Sequence, residues 1–231
     1  MIKIRELRKT YAGKDVLYID HLEIRKGDCI GLVGNNGAGK TTLFSLILDL
    51  IPASSGAVYH KDMLATESHE WKSWTGSYLD ENFIIGYLFP EEYFYFVGNL
   101  RGVKKEEVDQ LLEKYTSFFN GEILKKNTYI RDMSKGNQKK VGIIATLIGN
   151  PELIIWDEPF ANLDPSTQIR LKQVIRDLSA DGTKTLLISS HDILHTVDVS
   201  SRIIALQKGQ LVKDMETSPK TLIELEAFFS A

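Results

Sequence analysis

Residues Gly34-Asn35-Asn36-Gly37-Ala38-Gly39-Lys40-Thr41 spell G-x-x-x-x-G-K-[ST] without a mismatch. This is the feature that most constrains the fold, because the motif works only between a strand and a helix. Its glycines let backbone N–H groups turn inward around phosphate oxygens, Lys40 supplies a cation for the β- and γ-phosphates, and the Thr41 hydroxyl suits a Mg²⁺ coordination position. The flanks agree. Cys29 to Val33 is a short apolar run that reads as a buried strand, and Leu43, Phe44, Leu46, Ile47 and Leu50 recur at helical spacing. A helix N-terminus, carrying Thr41 and Thr42, would then face the anion. Residues 34–42 are accordingly assigned to a nucleoside triphosphate.

A second element lies far downstream. Leu153-Ile154-Ile155-Trp156 is an apolar strand that ends in Asp157-Glu158. Such a strand would bring Asp157 beside the phosphate loop as a Mg²⁺ ligand, and Glu158 past the strand end, where it could polarise a water for attack on the γ-phosphate. Around these motifs the pattern alternates. The first thirty residues read as antiparallel strands with turns near Gly13 and Gly27. Residues 76–149 read as helical, with Val108, Leu111, Leu112, Tyr115 and Phe119 on one stripe and Val141, Ile144, Ala145 and Ile148 on another. After Pro151 strands and helices alternate again, with a helix opening at Asp164-Pro165 and a strand over Thr185 to Ser189. The predicted class is α/β: a P-loop NTPase core with a mostly parallel sheet, an N-terminal antiparallel part and an inserted α-helical subdomain. Residues 1–75 and 150–231 form the core and 76–149 the insert of a single domain.

With these pieces in order, the chain resembles the ATP-binding cassette (ABC) family over nearly its whole length. Met133-Ser134-Lys135-Gly136-Asn137-Gln138 is similar to the family's signature segment, usually written LSGGQ; Ser134 and Gly136 match, while Met133, Lys135 and Asn137 depart from it. Ser134 suits the N-cap of the helix that follows, which would present a second anion site. Ala161-Asn162-Leu163-Asp164 resembles the loop that crosses the family's dimer interface, and Ser189-Ser190-His191-Asp192 the strand end whose histidine contacts the γ-phosphate. Tyr11 stands where the family places an aromatic ring against adenine. His191 and His195 also have a metal-ligand spacing, but no third ligand is evident. The family's junction glutamine falls on Asp80, with Glu81 next, so Asp80 is assigned as a Mg²⁺ ligand and Glu81 stays open as the equivalent.

The resemblance implies an ATPase that uses ATP and Mg²⁺, with Glu158, His191 and Lys40 catalytic. It implies that Ser134, Gly136 and Asp164 act on nucleotide held by a second cassette, most simply an identical chain. It also implies that ATP-driven closure drives a separate integral membrane permease, which would hold the chain on the cytoplasmic face of the cell membrane. The Ser134-Lys135-Gly136 variant and the segment from Pro90 to Gly98 resemble bacterial exporters of the drug and peptide-resistance type. A soluble cassette with another load, such as iron–sulfur assembly, and a non-hydrolytic ATP-dependent module stay open as alternatives, although Glu158 speaks against the second.

The bulk properties agree. A formal net charge of −3 offers no basic stripe for nucleic acid, and one cysteine, Cys29, excludes an intrachain disulfide. Met1-Ile2-Lys3-Ile4-Arg5 leads into charge, which is not expected of a secretory signal, and no run reaches the length of a membrane span. Seven aromatic residues between Phe83 and Phe96 are expected to divide between the subdomain core and a permease contact with an acidic rim of Glu81, Glu91 and Glu92.

Overall fold

The apolar runs become strands of one ten-stranded sheet in the computed structural model, which describes residues 1–230. In chain order the strands are β1 (Ile2–Tyr11), β2 (Lys14–Ile24), β3 (Cys29–Val33), β4 (Ser55–His60), β5 (Met63–Leu64), β6 (Thr75–Tyr78), β7 (Leu153–Trp156), β8 (Thr185–Ser190), β9 (Arg202–Gln207) and β10 (Gln210–Glu216). The helices are α1 (Lys40–Ile47), α2 (Pro90–Leu100), α3 (Lys105–Lys114), α4 (Thr116–Phe119), α5 (Lys135–Ala145), α6 (Pro165–Ser179), α7 (Ile193–Val199) and α8 (Thr221–Ser230). The sheet order is β5-β4-β1-β2-β10-β9-β3-β8-β7-β6. From β9 to β6 every pairing is parallel, whereas β1, β2, β4 and β5 pair antiparallel with one another.

Burial on both faces explains the continuous apolar strands. Along β7, Ile154 and Trp156 point into one core while Leu153 and Ile155 point into the other, the period-two alternation of a strand covered on both sides. The first core joins the sheet to α5 and α6. The second joins it to α1, through Leu43, Phe44, Leu46 and Ile47, and to the inner faces of β1 and β2. Parallel strands align their C-terminal ends on one edge, so the loops after β3, β7 and β8 meet there.

Two expectations shift. The segment read as helical from residue 76 begins with a strand, since Thr75–Tyr78 pairs parallel with β7 at the sheet edge. Gly76 and Ser77 interrupt its apolar pattern, so periodicity misses it. The helical character begins beyond Leu79. Helix α5 also stops at Ala145, leaving the buried Ile148 in the turn that follows.

The aromatic run divides along structural lines. Phe94 is fully buried against Phe119, Phe89 stacks on Tyr129, and the Tyr95 hydroxyl donates to Asp109. Phe83 is 67% exposed on the wall of a groove of about 320 Å³ that Leu50, Tyr78, Tyr93, Leu100 and Gly142 also line. Glu81, Glu91 and Glu92, expected as its acidic rim, do not line it, and Asp80 is the carboxylate that does. Glu91 accepts from the Lys125 N–H, Glu92 caps α2 through the Phe89 N–H, and Glu81 faces Lys139.

This division predicts opposite responses to truncation. Phe94→Ala should cost about 3–5 kcal/mol, because it leaves a cavity inside the insert. Phe83→Ala should stay within about 0.5 kcal/mol. Denaturant unfolding of both variants checks the difference, and equal losses would contradict it.

Candidate active site

The phosphate loop takes its shape from Gly39, the N-cap of α1. It holds φ at 107°, a backbone region that residues with a Cβ rarely enter, and this turns the helix N-terminus toward the loop. Asn36, Gly37, Ala38, Gly39, Lys40, Thr41 and Thr42 line a cleft of about 410 Å³ with Tyr11, Val16 and Glu158. At the loop's start, the Gly34 carbonyl accepts from the Lys40 ammonium at 2.7 Å. Asn35 begins the turn, with its carbonyl accepting from the Ala38 N–H. Lys40 is buried, and its ammonium lies 3.4 Å from Glu158 Oε1.

Asp157 is the polar group on which the start of α1 and the ends of β7 and β8 converge. Thr41 Oγ1 donates to its Oδ2, and the Ser189 hydroxyl at the end of β8 donates to its Oδ1. Burial pushes the Asp157 carboxyl above the ordinary carboxylate range, and the two hydroxyl donors pull the other way by favouring the anion. The pair of hard oxygen donors, Thr41 Oγ1 and Asp157 Oδ2, fits a small dication that prefers oxygen. Among the described residues, no group of three or more His, Cys, Asp or Glu side chains forms a metal cage. A Mg²⁺ ion here would draw its other ligands from phosphate and water.

Glu158 is held on every side. Its N–H donates to Ser189 Oγ at 2.9 Å, and its carbonyl accepts from the Lys139 ammonium at 2.8 Å. Its Oε2 contacts His191 Nδ1 at 2.8 Å and the His191 N–H at 3.3 Å. Its own φ is 47°, in the left-handed region. Tyr11, half exposed at the cleft mouth, carries the Lys9 ammonium 4.7 Å from its ring centroid.

Other assigned residues lie elsewhere. Ser134, Gly136 and Asp164 do not line this cleft. Ser134 is exposed and caps α5, accepting from the Asn137 N–H. Gly136 packs so closely on the Ala161–Asp164 loop that a Cβ would sit 2.8 Å from the Asn162 carbonyl oxygen. Asp164 caps α6, and hydrogen bonds from Ser166 and Thr167 hold its carboxyl far below the usual range, so it serves its own helix. Asp80, assigned as a Mg²⁺ ligand, stands outside the cleft in this structure. Its carboxylate accepts from the Asn82 N–H to cap a 3₁₀ turn, and its side chain lies at the groove rather than in the cleft. Glu81 lies 3.8 Å from the Lys139 ammonium. His195 packs against the Phe160 ring.

Comparison with known proteins gives one answer. A family model described as ABC transporter matches residues 18–161. The chain is 33% identical over 215 residues to an uncharacterized ABC transporter ATP-binding protein of Methanocaldococcus jannaschii, covering 91% of this chain and 76% of that protein. It is 29% identical over 220 residues to a lantibiotic transport ATP-binding protein of Streptococcus pyogenes, covering 94% of this chain and 91% of that one. Among solved structures, a dimeric ATP-binding cassette in a post-hydrolysis state with ADP and Pi superposes with a TM-score of 0.83 at 22% identity, over 94% of this chain and 99% of that one; this likeness is one of fold. The phosphate cleft, the acidic strand end beside it and these matches agree that the chain belongs to the ABC transporter family, as an ATP-binding cassette with ATPase activity.

Proposed function

We propose that the chain hydrolyses ATP as the motor subunit of a transporter whose membrane-spanning permease is a separate protein. The observation that carries this reading is Glu158, fixed at the end of β7 between Lys40 and His191. In this role Lys40 and the inward N–H groups of the loop bind the β- and γ-phosphates, while Thr41 and Asp157 hold Mg²⁺. Mg²⁺, when bound, neutralises charge on the phosphate oxygens. Glu158 accepts a proton from water as the water oxygen bonds to the γ-phosphorus, and the bond to the β,γ-bridging oxygen breaks to give ADP and phosphate. His191 holds Glu158 by its ring nitrogen, and Tyr11 stacks on adenine. Lys40 also ties substrate to base: a γ-phosphate seated on the loop competes with Glu158 Oε1 for the Lys40 ammonium.

Ser134 and Gly136 lie on the surface outside the cleft, which supports a role in trans. An identical second chain would cover each ATP with its α5 N-terminus, giving a head-to-tail dimer. Asp164 supports that arrangement by fixing the loop on which Gly136 packs. ATP touching both chains favours closure, and hydrolysis removes the shared contact. Among the described residues, no helix is long and apolar enough to cross a membrane. The groove between the sheet edge and the helical insert is the surface proposed for the permease, because it exposes Leu50, Phe83 and Leu100 together. The chain would thereby reside at the cytoplasmic face of the membrane. Likeness to a lantibiotic transport protein and the Ser134-Lys135-Gly136 variant support export.

Glu158→Gln should slow hydrolysis by about 10²–10⁴-fold while ATP still binds, so that a closed dimer accumulates on size exclusion with Mg-ATP. Hydrolysis at the wild-type rate would remove Glu158 from this role. Phe83→Asp combined with Leu100→Asp should leave ATPase activity intact and abolish retention on membranes containing the co-expressed permease. Retention equal to wild type would place docking elsewhere.

A further inference from the structure

Lys139 is a buried ammonium that the family resemblance leaves without a role. It sits on α5, between the signature cap and the groove, with a relative exposure of 4%. Burying an ammonium in a helix that packs on a core is costly unless the charge is met. Here it is met at two points: the Glu158 carbonyl at 2.8 Å and Glu81 Oε1 at 3.8 Å. Burial pulls its pKa below the ordinary lysine range, while Glu81 foremost, then Glu158, Asp157 and Asp80, act in the opposite direction.

The contact falls on a strained residue. Glu158 has its φ at 47°, a conformation that side chains with a Cβ adopt at a cost and that persists only where the surroundings over-determine it. Two contacts do so, one on each side of its Cα. The Ser189 hydroxyl takes the N–H, and the Lys139 ammonium takes the carbonyl. Ser189 belongs to the core sheet, whereas Lys139 belongs to the helical insert. The direction of the Glu158 side chain therefore depends on both parts of the fold at once. On its far side Lys139 reaches the 3₁₀ turn Glu81–Phe83, whose Phe83 forms the groove wall. One side chain thus joins the groove wall to the backbone of the carboxylate.

We infer that Lys139 is the positioning residue for Glu158, holding its backbone so that the carboxylate faces Lys40 and His191, with Glu81 as its counter-ion. The inference rests on Glu158 being the base, and it assigns the aim of that base to the signature helix. Lys139→Met keeps the aliphatic stem and removes the donor. It should lower kcat by about 10²-fold, the scale of a misplacement near 1 Å, with KM for ATP little changed. Lys139→Arg, which keeps a donor, should recover part of the loss.

The decisive reading compares two backgrounds. If Lys139 acts through Glu158, adding Lys139→Met to Glu158→Gln should not lower the residual single-turnover rate further. A wild-type kcat for Lys139→Met, or the same fold-loss in both backgrounds, overturns the inference. Should the methionine variant not fold, Lys139→Ala, which also lacks the donor, is carried through the same two backgrounds and read by the same rule. Glu158→Gln at the wild-type rate would instead overturn the base assignment itself, so the two failures are distinguishable.

Discussion

The hydrogen bond from Thr41 to Asp157 ties the phosphate loop to the acidic strand, and the chemistry of the site depends on it. The two residues are far apart in sequence and meet only because β3, β8 and β7 are adjacent and parallel. A register shift of one residue in β7 would turn Asp157 to the opposite face of the sheet. What prevents the shift is the packing of Leu153, Ile154, Ile155 and Trp156, all fully buried and divided between two cores. Ser189 enters by the same logic from β8, donating to Asp157 and accepting from the Glu158 N–H. Two strand ends and the first turn of α1 share one polar cluster, in which Asp157 and Ser189 are buried.

The two parts of the fold are joined by a different kind of contact. The core presents the phosphate loop, Asp157 and Glu158, while the insert presents Ser134 on α5. Between them lies the buried charge of Lys139, flanked by Glu81. Apolar packing of Val141, Ile143 and Ile144 seats α5 on the core. The Lys139 ammonium adds one hydrogen bond to the Glu158 carbonyl and one ion pair to Glu81, both tied to its position on α5. The insert is coupled to the site through a directional contact, and the same 3₁₀ turn that holds Glu81 borders the exposed groove.

Much of this was legible in the sequence, and the limits are physical. Strands β3, β7 and β8 announce themselves because burial on both faces demands continuous apolar runs. Asp164-Pro165 marks the start of α6 because capping chemistry is local. Strand β6 is hidden, since Gly76 and Ser77 carry no apolar signal and only pairing with β7 defines it. The different surroundings of Asp80 and Glu81 are not legible in sequence, because they depend on a 3₁₀ turn that Asp80 caps and that sets Glu81 beside Lys139. Lys139 itself reads as one more lysine in a charged helix start. Only its burial against a carbonyl with positive φ gives it meaning.

The central claim is that the loop, Lys40 and Glu158 form one phosphate-binding and hydrolytic unit. The most direct test is a crystal structure of the wild-type chain with Mg²⁺ and a non-hydrolysable ATP analogue. The account predicts that the triphosphate lies within the loop from Asn35 to Thr42. The Lys40 ammonium should leave the Gly34 carbonyl and Glu158 for phosphate oxygens, while Glu158 stays bonded to His191. An analogue bound away from the loop, or one seated there with Lys40 still on Gly34 and Glu158, would contradict it.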